Sequence, residues 1–156
     1  MGNYLTDAPR LLTADELGAW RGLLRVHAGM TKALDADLVR EHGLALSCYE
    51  VLLFLADAPD GRLRMSDLAD GVLLSRSGLT RLVDRMERDG LLHRERCEDD
   101  ARGYNAAITD KGRALFARAR KTHLDGVRER FLRHLSRDEL RTLGELWERV
   151  APGAAS

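Results

Sequence analysis

The stretch from Thr13 to Gly43 constrains this chain more than any other. Thr13-Ala14-Asp15-Glu16 has the form of a capping box, in which the hydroxyl accepts from the third helical amide and the glutamate reaches back to the cap amide. Gly43 is the C-terminal stop. One helix is therefore expected over about Ala14–His42, and at 1.5 Å per residue it is roughly 43 Å long. A helix of that length is unusual in a small domain. Its apolar stripe, Leu17, Trp20, Leu24, Leu34 and Leu38, is interrupted by His27 and Thr31.

Two further capping boxes divide the chain. Ser47-Cys48-Tyr49-Glu50 is expected to open a second helix, and Ser136-Arg137-Asp138-Glu139 the last one. The second helix stops at Pro59-Asp60-Gly61, and a short helix follows over Ser66–Gly71 with Ser66 as its cap. "SRSGLTRLVDRMERD" (75–89) reads as the next helix, closed by Gly90. After Gly90 the period changes. "LLHRERC" (91–97) and "YNAAIT" (104–109) read as two strands around the polar loop "EDDARG". Thr109 caps a long helix that is expected to reach about His134. The expected architecture is mainly α (α+β), with a two-stranded hairpin placed after four helices and before two more.

With 156 residues the chain suits one domain, large enough to bury a real core. Apolar residues make up 44% and charged residues 32%, the balance of a soluble globular protein. The longest apolar runs resemble "VLLFLA" (51–56), too short to cross a membrane. The N-terminus lacks the basic and apolar regions of a secretory signal, so the cytoplasm is the expected compartment. Two cysteines, Cys48 and Cys97, make no disulfide framework. No short metal motif, phosphate loop or nucleophile elbow is present, so neither a metal, a cofactor nor an enzymatic activity is expected. The formal net charge is zero, which argues against coating nucleic acid by bulk charge but not against a local basic patch. Of the 25 basic residues 22 are arginine; a GC-rich genome also produces such an excess, so it decides nothing by itself.

Such a patch lies on the helix over 75–89. Leu79, Leu82, Val83 and Met86 follow the i, i+3, i+4, i+7 rule and form its core face. The opposite face carries Ser77, Arg81, Asp84 and Arg88, flanked by Thr80 and Arg85, and no acid precedes Asp84. A helix N-terminus carries partial positive charge and unpaired amides. In a helix-turn-helix, the second helix enters the major groove by its N-terminal residues, and the short helix at 66–71 supplies the first half of such a motif. Ser75, Arg76, Ser77, Thr80, Arg81 and Arg85 are therefore the candidate DNA contacts, since arginine pairs with guanine and hydroxyls meet bases or phosphates. At the hairpin tip, Arg102 suits a narrow minor groove, with Asp100 as its support. The stripes in "LLRVHAGM", "FLRHL" and "LGELW" exceed what one small lobe can cover, which points to a dimer interface.

"MSDLADGVLLSRSGLTRLVDRMERDGLLHRE", then Asp100-x-Arg102, then "ITDKG", resemble the multiple antibiotic resistance regulator (MarR) family of bacterial winged helix-turn-helix transcription factors. The resemblance covers nearly the whole chain. It implies one domain, with 13–46 and 110–150 as dimerisation helices and 47–109 as the DNA-binding lobe. It implies a homodimer that binds a pseudo-palindromic operator, a repressor released by a small-molecule effector. The implied effector pocket lies between the dimerisation helices and the lobe, with Trp20, His27, Met30 and Tyr49 as candidate lining residues. A redox- or metal-responsive regulator of the same fold, or a protein-binding adaptor, are the alternatives. Cys48, in the first turn of its helix, is expected to be a small buried hydrophobe first and a redox sensor second. Cys97 is expected to be exposed beside the wing. His123 and His134 stand too far apart for the family's zinc-sensing signature.

Overall fold

A computed structural model describes residues 10–72, 75–97 and 103–154, with Arg76 described in its backbone only. The first helix, α1, spans Ala14–His42 with the Thr13 capping box formed. It ends at Gly43, whose φ of 62° is the left-handed conformation that favours glycine. Then come α2 (Leu46–Asp57), strand β1 (Arg62–Arg64), α3 (Met65–Gly71), α4 (Arg76–Arg88), β2 (Leu92–Arg96), β3 (Tyr104–Ile108), α5 (Asp110–Arg130) and α6 (Arg137–Val150).

The sheet has three strands, not the two expected. Its antiparallel order is β1-β3-β2, with Leu63 opposite Ala106 and Arg94 opposite the same residue from the other side. β1 is only "RLR", too short for its alternation to mark a strand; β3 supplies the hydrogen bonds that make it one. The Ser47 capping box does not form. α2 begins at Leu46 with Ala45 as a cap that makes no side-chain bond. Asp35 of α1 supplies the missing acceptor, taking the Leu46 amide at 2.8 Å. Likewise Ser66 is not a cap: α3 starts one residue earlier, and the Ser66 hydroxyl turns to Asp67. α5 ends at Arg130, and the rest of its expected length is a 3₁₀ turn over Leu132–His134. The Ser136 box forms as expected.

The core lies inside the lobe. Val51, Leu52 and Leu55 of α2 meet Leu68 of α3, Leu79, Val83 and Met86 of α4, Leu92 of β2 and Phe116 of α5. Of α1, only the C-terminal half contributes, through Leu34 and Leu38. Here α1 and α5 lie close, because a side chain at Gly126 would meet Leu34 Cδ2 at 2.7 Å. Asp37 bridges the pair, bonding Arg40 at 2.8 Å and Arg130 at 2.5 Å. Burial opposes its ionisation, but the two guanidinium groups prevail and hold the carboxyl below its ordinary range. The N-terminal half of α1 leaves Trp20, Leu23, Leu24 and Val26 exposed, and no residue of α6 is buried. No helix among the described residues is long and apolar enough to cross a membrane.

Candidate nucleic-acid interface

Helix α4 is placed by both of its ends. At its start the Ser75 hydroxyl accepts from the Gly78 amide at 3.1 Å, leaving the other first-turn amides to face outward. The Ser77 hydroxyl lies 3.3 Å from that of Ser75. At its end, Gly90 turns the chain at a φ of 73°. The carbonyls of Asp89 and Gly90 are then taken by Lys111 Nζ at 2.6 Å and Thr109 Oγ1 at 2.6 Å, which ties α4 to the start of α5.

Around its axis α4 divides into four stripes. Leu79, Leu82, Val83 and Met86 are buried, as the periodicity requires. Ser77, Arg81 and Arg88 point outward and are exposed. Arg81 has no ion-pair partner among the described residues. On one flank Thr80, Asp84 and Glu87 face the wing, where Arg94 of β2 meets both acids, Asp84 at 2.5 Å and Glu87 at 2.8 Å. On the other flank Arg85 turns towards α2, with its Nη2 3.4 Å from Cys48 Sγ. So Ser75, Ser77, Thr80 and Arg81 share one exposed surface, and Arg85 leans away from it. The side chain of Arg76, and Asp100 and Arg102, lie outside the described residues.

Sequence reasoning missed Arg94. Its signal was present: two acids three residues apart on a helix otherwise basic at its outward side, with two arginines, Arg94 and Arg96, in the following strand.

The four candidate effector residues do not come together within the chain. Tyr49 is buried, its ring stacked on His123 at 4.5 Å and tilted against Phe116 at 5.5 Å. Burial pushes its hydroxyl pKa up and that of His123 down. Trp20 and His27 are exposed on α1, and Met30 is half-buried. A cleft of about 400 Å³ instead opens between the α1–α2 turn, the end of α4 and the start of α5. Val39, Leu44 and Leu115 give it apolar walls, and Cys48, Arg85, Asp89 and Lys111 its polar ones. Cys48 is buried, as expected. Cys97 is also buried, against expectation, because its thiol turns inward to Asn105 Oδ1 at 3.2 Å. No group of three or more His, Cys, Asp or Glu among the described residues is placed to hold a metal ion.

The fold is that of known DNA-binding regulators. A family model described as the MarR family matches residues 42–103. AbsC, a MarR family transcriptional regulator from Streptomyces coelicolor, superposes with a TM-score of 0.87 and 36% identity, over 92% of this chain and 96% of that one. Sco3205, a MarR family regulator from the same organism solved in complex with DNA, gives 0.88 and 36% over 93% and 91%. The homoprotocatechuate degradative operon repressor of Escherichia coli is 29% identical over 111 residues, 71% of this chain and 73% of that protein.

Proposed function

This chain belongs to the MarR family of transcriptional regulators, and on that footing we propose that it is a repressor. It binds a pseudo-palindromic operator as a homodimer and leaves it when a small molecule binds. Its relatives are transcriptional regulators, not enzymes.

The observation that carries the reading is the outward stripe of α4. Ser77 and Arg81 stand exposed beside a helix tip without acids. That is the chemistry a major-groove reader needs, because arginine matches the paired acceptors of guanine. Similarity to a regulator solved with DNA supports it. Relatives that carry repressor in their names support the direction of control. The homodimer rests on α1 and α6, whose apolar faces their own chain leaves uncovered. Arg102 is assigned to the minor groove, and Asp100 to its support, on their chemistry alone. An adaptor that binds protein fits less well, since the outward stripe has no aromatic anchor.

Effector release rests on the cleft beside Arg85. Its volume falls in the range of small-ligand pockets, roughly 300–1,000 Å³. Its two cations, Arg85 and Lys111, outnumber the one carboxylate, Asp89, and suit a small anion with an apolar body. A redox-responsive variant of this reading draws on Cys48, whose Sγ lies 3.4 Å from Arg85 Nη2.

Selection of genomic fragments on the purified protein, followed by footprinting, tests the central reading. The expected outcome is a protected inverted repeat with half-sites about 34 Å apart. Recovery of fragments at random, with no footprint, would sink it. A ligand screen on the recovered operator then tests release.

A further inference from the structure

We propose that Arg94 is a positioning residue for DNA reading: it clamps the wing's edge strand to the recognition helix, so that helix and wing meet DNA as one body. This rests on the reading of α4 as the DNA-contacting helix.

The order β1-β3-β2 leaves β2 with one free edge. Its outward amides have no strand partner, and such groups require another acceptor or water. Glu87 of α4 supplies one. Its Oε1 accepts from the Arg94 amide at 2.8 Å, and its Oε2 accepts from Arg94 Nη1 at 2.8 Å. The helix carboxylate thus holds both the backbone and the side chain of the same strand residue. Arg94 Nη2 donates in addition to Asp84 Oδ1 at 2.5 Å and to the Thr80 carbonyl at 3.3 Å. Thr80, Asp84 and Glu87 lie along one side of α4 and span about 10 Å of it. A clamp at three heights resists both sliding and swivelling of the helix against the strand.

The chemistry requires arginine. Its planar fork serves divergent acceptors at once, whereas an ammonium on a flexible stem is a point charge. The side chain is 21% exposed, so water competes only in part. A solvated ion pair would contribute little; this one is charge-assisted at several donors and half-withdrawn from solvent.

The clamp also explains two acids on a helix that approaches a polyanion. Were Asp84 and Glu87 free surface acids, removing one would lessen repulsion and tighten binding to every DNA. As clamp members, their loss loosens the reading head and weakens binding to the operator. The two views predict opposite signs.

The test uses the full-length protein with three variants, Glu87→Ala, Arg94→Met and Arg94→Lys, on the selected operator and on a scrambled duplex. Circular dichroism and thermal melting establish that each is folded. We expect Glu87→Ala to lose about tenfold in operator affinity, despite the loss of a negative charge, with scrambled-duplex affinity little changed. The ratio of the two affinities is the decisive readout, since a reduced folded fraction lowers both alike and cancels. Arg94→Met should show the same fall in the ratio, and Arg94→Lys should fail to restore it. If Glu87→Ala binds both duplexes more tightly, or Arg94→Lys matches the wild type, the clamp is overturned. If Arg94→Met does not fold, Glu87→Ala decides alone. A wild-type protein with no operator preference would overturn the reading of α4 itself, a result distinct from normal wild-type binding with unaffected variants.

Discussion

Arg81 stands in the outward stripe of α4 with no ion-pair partner among the described residues, and no core atom depends on it. A bidentate arginine–guanine pair is worth about 1–3 kcal/mol. Arg81→Ala should therefore weaken operator binding by about ten- to a hundredfold, with the melting temperature unchanged. Titration against operator and scrambled duplex checks this; an equal fall on both would make Arg81 a phosphate contact. His123 calls for a pH measurement. Its ring stacks on Tyr49 and its Nδ1 is buried without a hydrogen-bond partner among the described residues. Burial holds its pKa below the ordinary 6.5. Below 6.5 the unfolded chain takes up a proton that the folded ring refuses, so stability is full above that pH and falls as pH drops towards the folded value. His123→Phe keeps a ring on Tyr49 and removes the titration. The variant should lose less stability than the wild type between pH 7 and about 5.5, as followed by denaturant midpoints; parallel curves would show that His123 is not buried in the neutral form.

At the scale of elements, helix α2 owes its start to a neighbour. Asp35 of α1 accepts from the Leu46 amide, the office that Ser47 was expected to fill for its own helix. Asp35→Ala should cost about 1 kcal/mol of stability, the usual worth of a cap, while Ser47→Ala should cost less. Urea midpoints for the two variants decide, and the reverse order would reject the cap from α1. The pair also shows where sequence stops being legible. Capping boxes at Thr13 and Ser136 are local, each closed within four residues, and both form. The acceptor for α2 comes from another helix, so no window around Ser47 contains it. β1 was invisible for the same reason: "RLR" becomes a strand only beside β3. The buried face of α4 was legible because Leu79, Leu82, Val83 and Met86 repeat at the helical period. What α4 does with its flanks was not. Arg85 finds Cys48 and Asp84 finds Arg94 through folding, and neither contact leaves a periodic mark.

At the scale of the whole molecule, α6 and the first half of α1 stand outside the chain's own core. Trp20 is 53% exposed, Val26 52% and Leu146 41%. Leu146 is one of the apolar residues that a second copy would cover on α6. Sedimentation equilibrium should find a dimer at micromolar concentration for the wild type and a monomer for Leu146→Glu. The monomer should also bind a half-site no more weakly than the dimer binds non-specific DNA. A wild-type monomer would remove the two-fold account of the operator. The outward stripe of α4 bears on how such a regulator changes over generations. Arg81 holds nothing together and Ser77 touches only the hydroxyl of Ser75, whereas the packing, wing and α2 sides of the same helix are all occupied. A gene copy can therefore drift at these positions without losing its fold. Duplicated regulators of this build are free to part in the operators they recognise while staying alike everywhere else, and new circuits arise at the cost of a few exposed side chains.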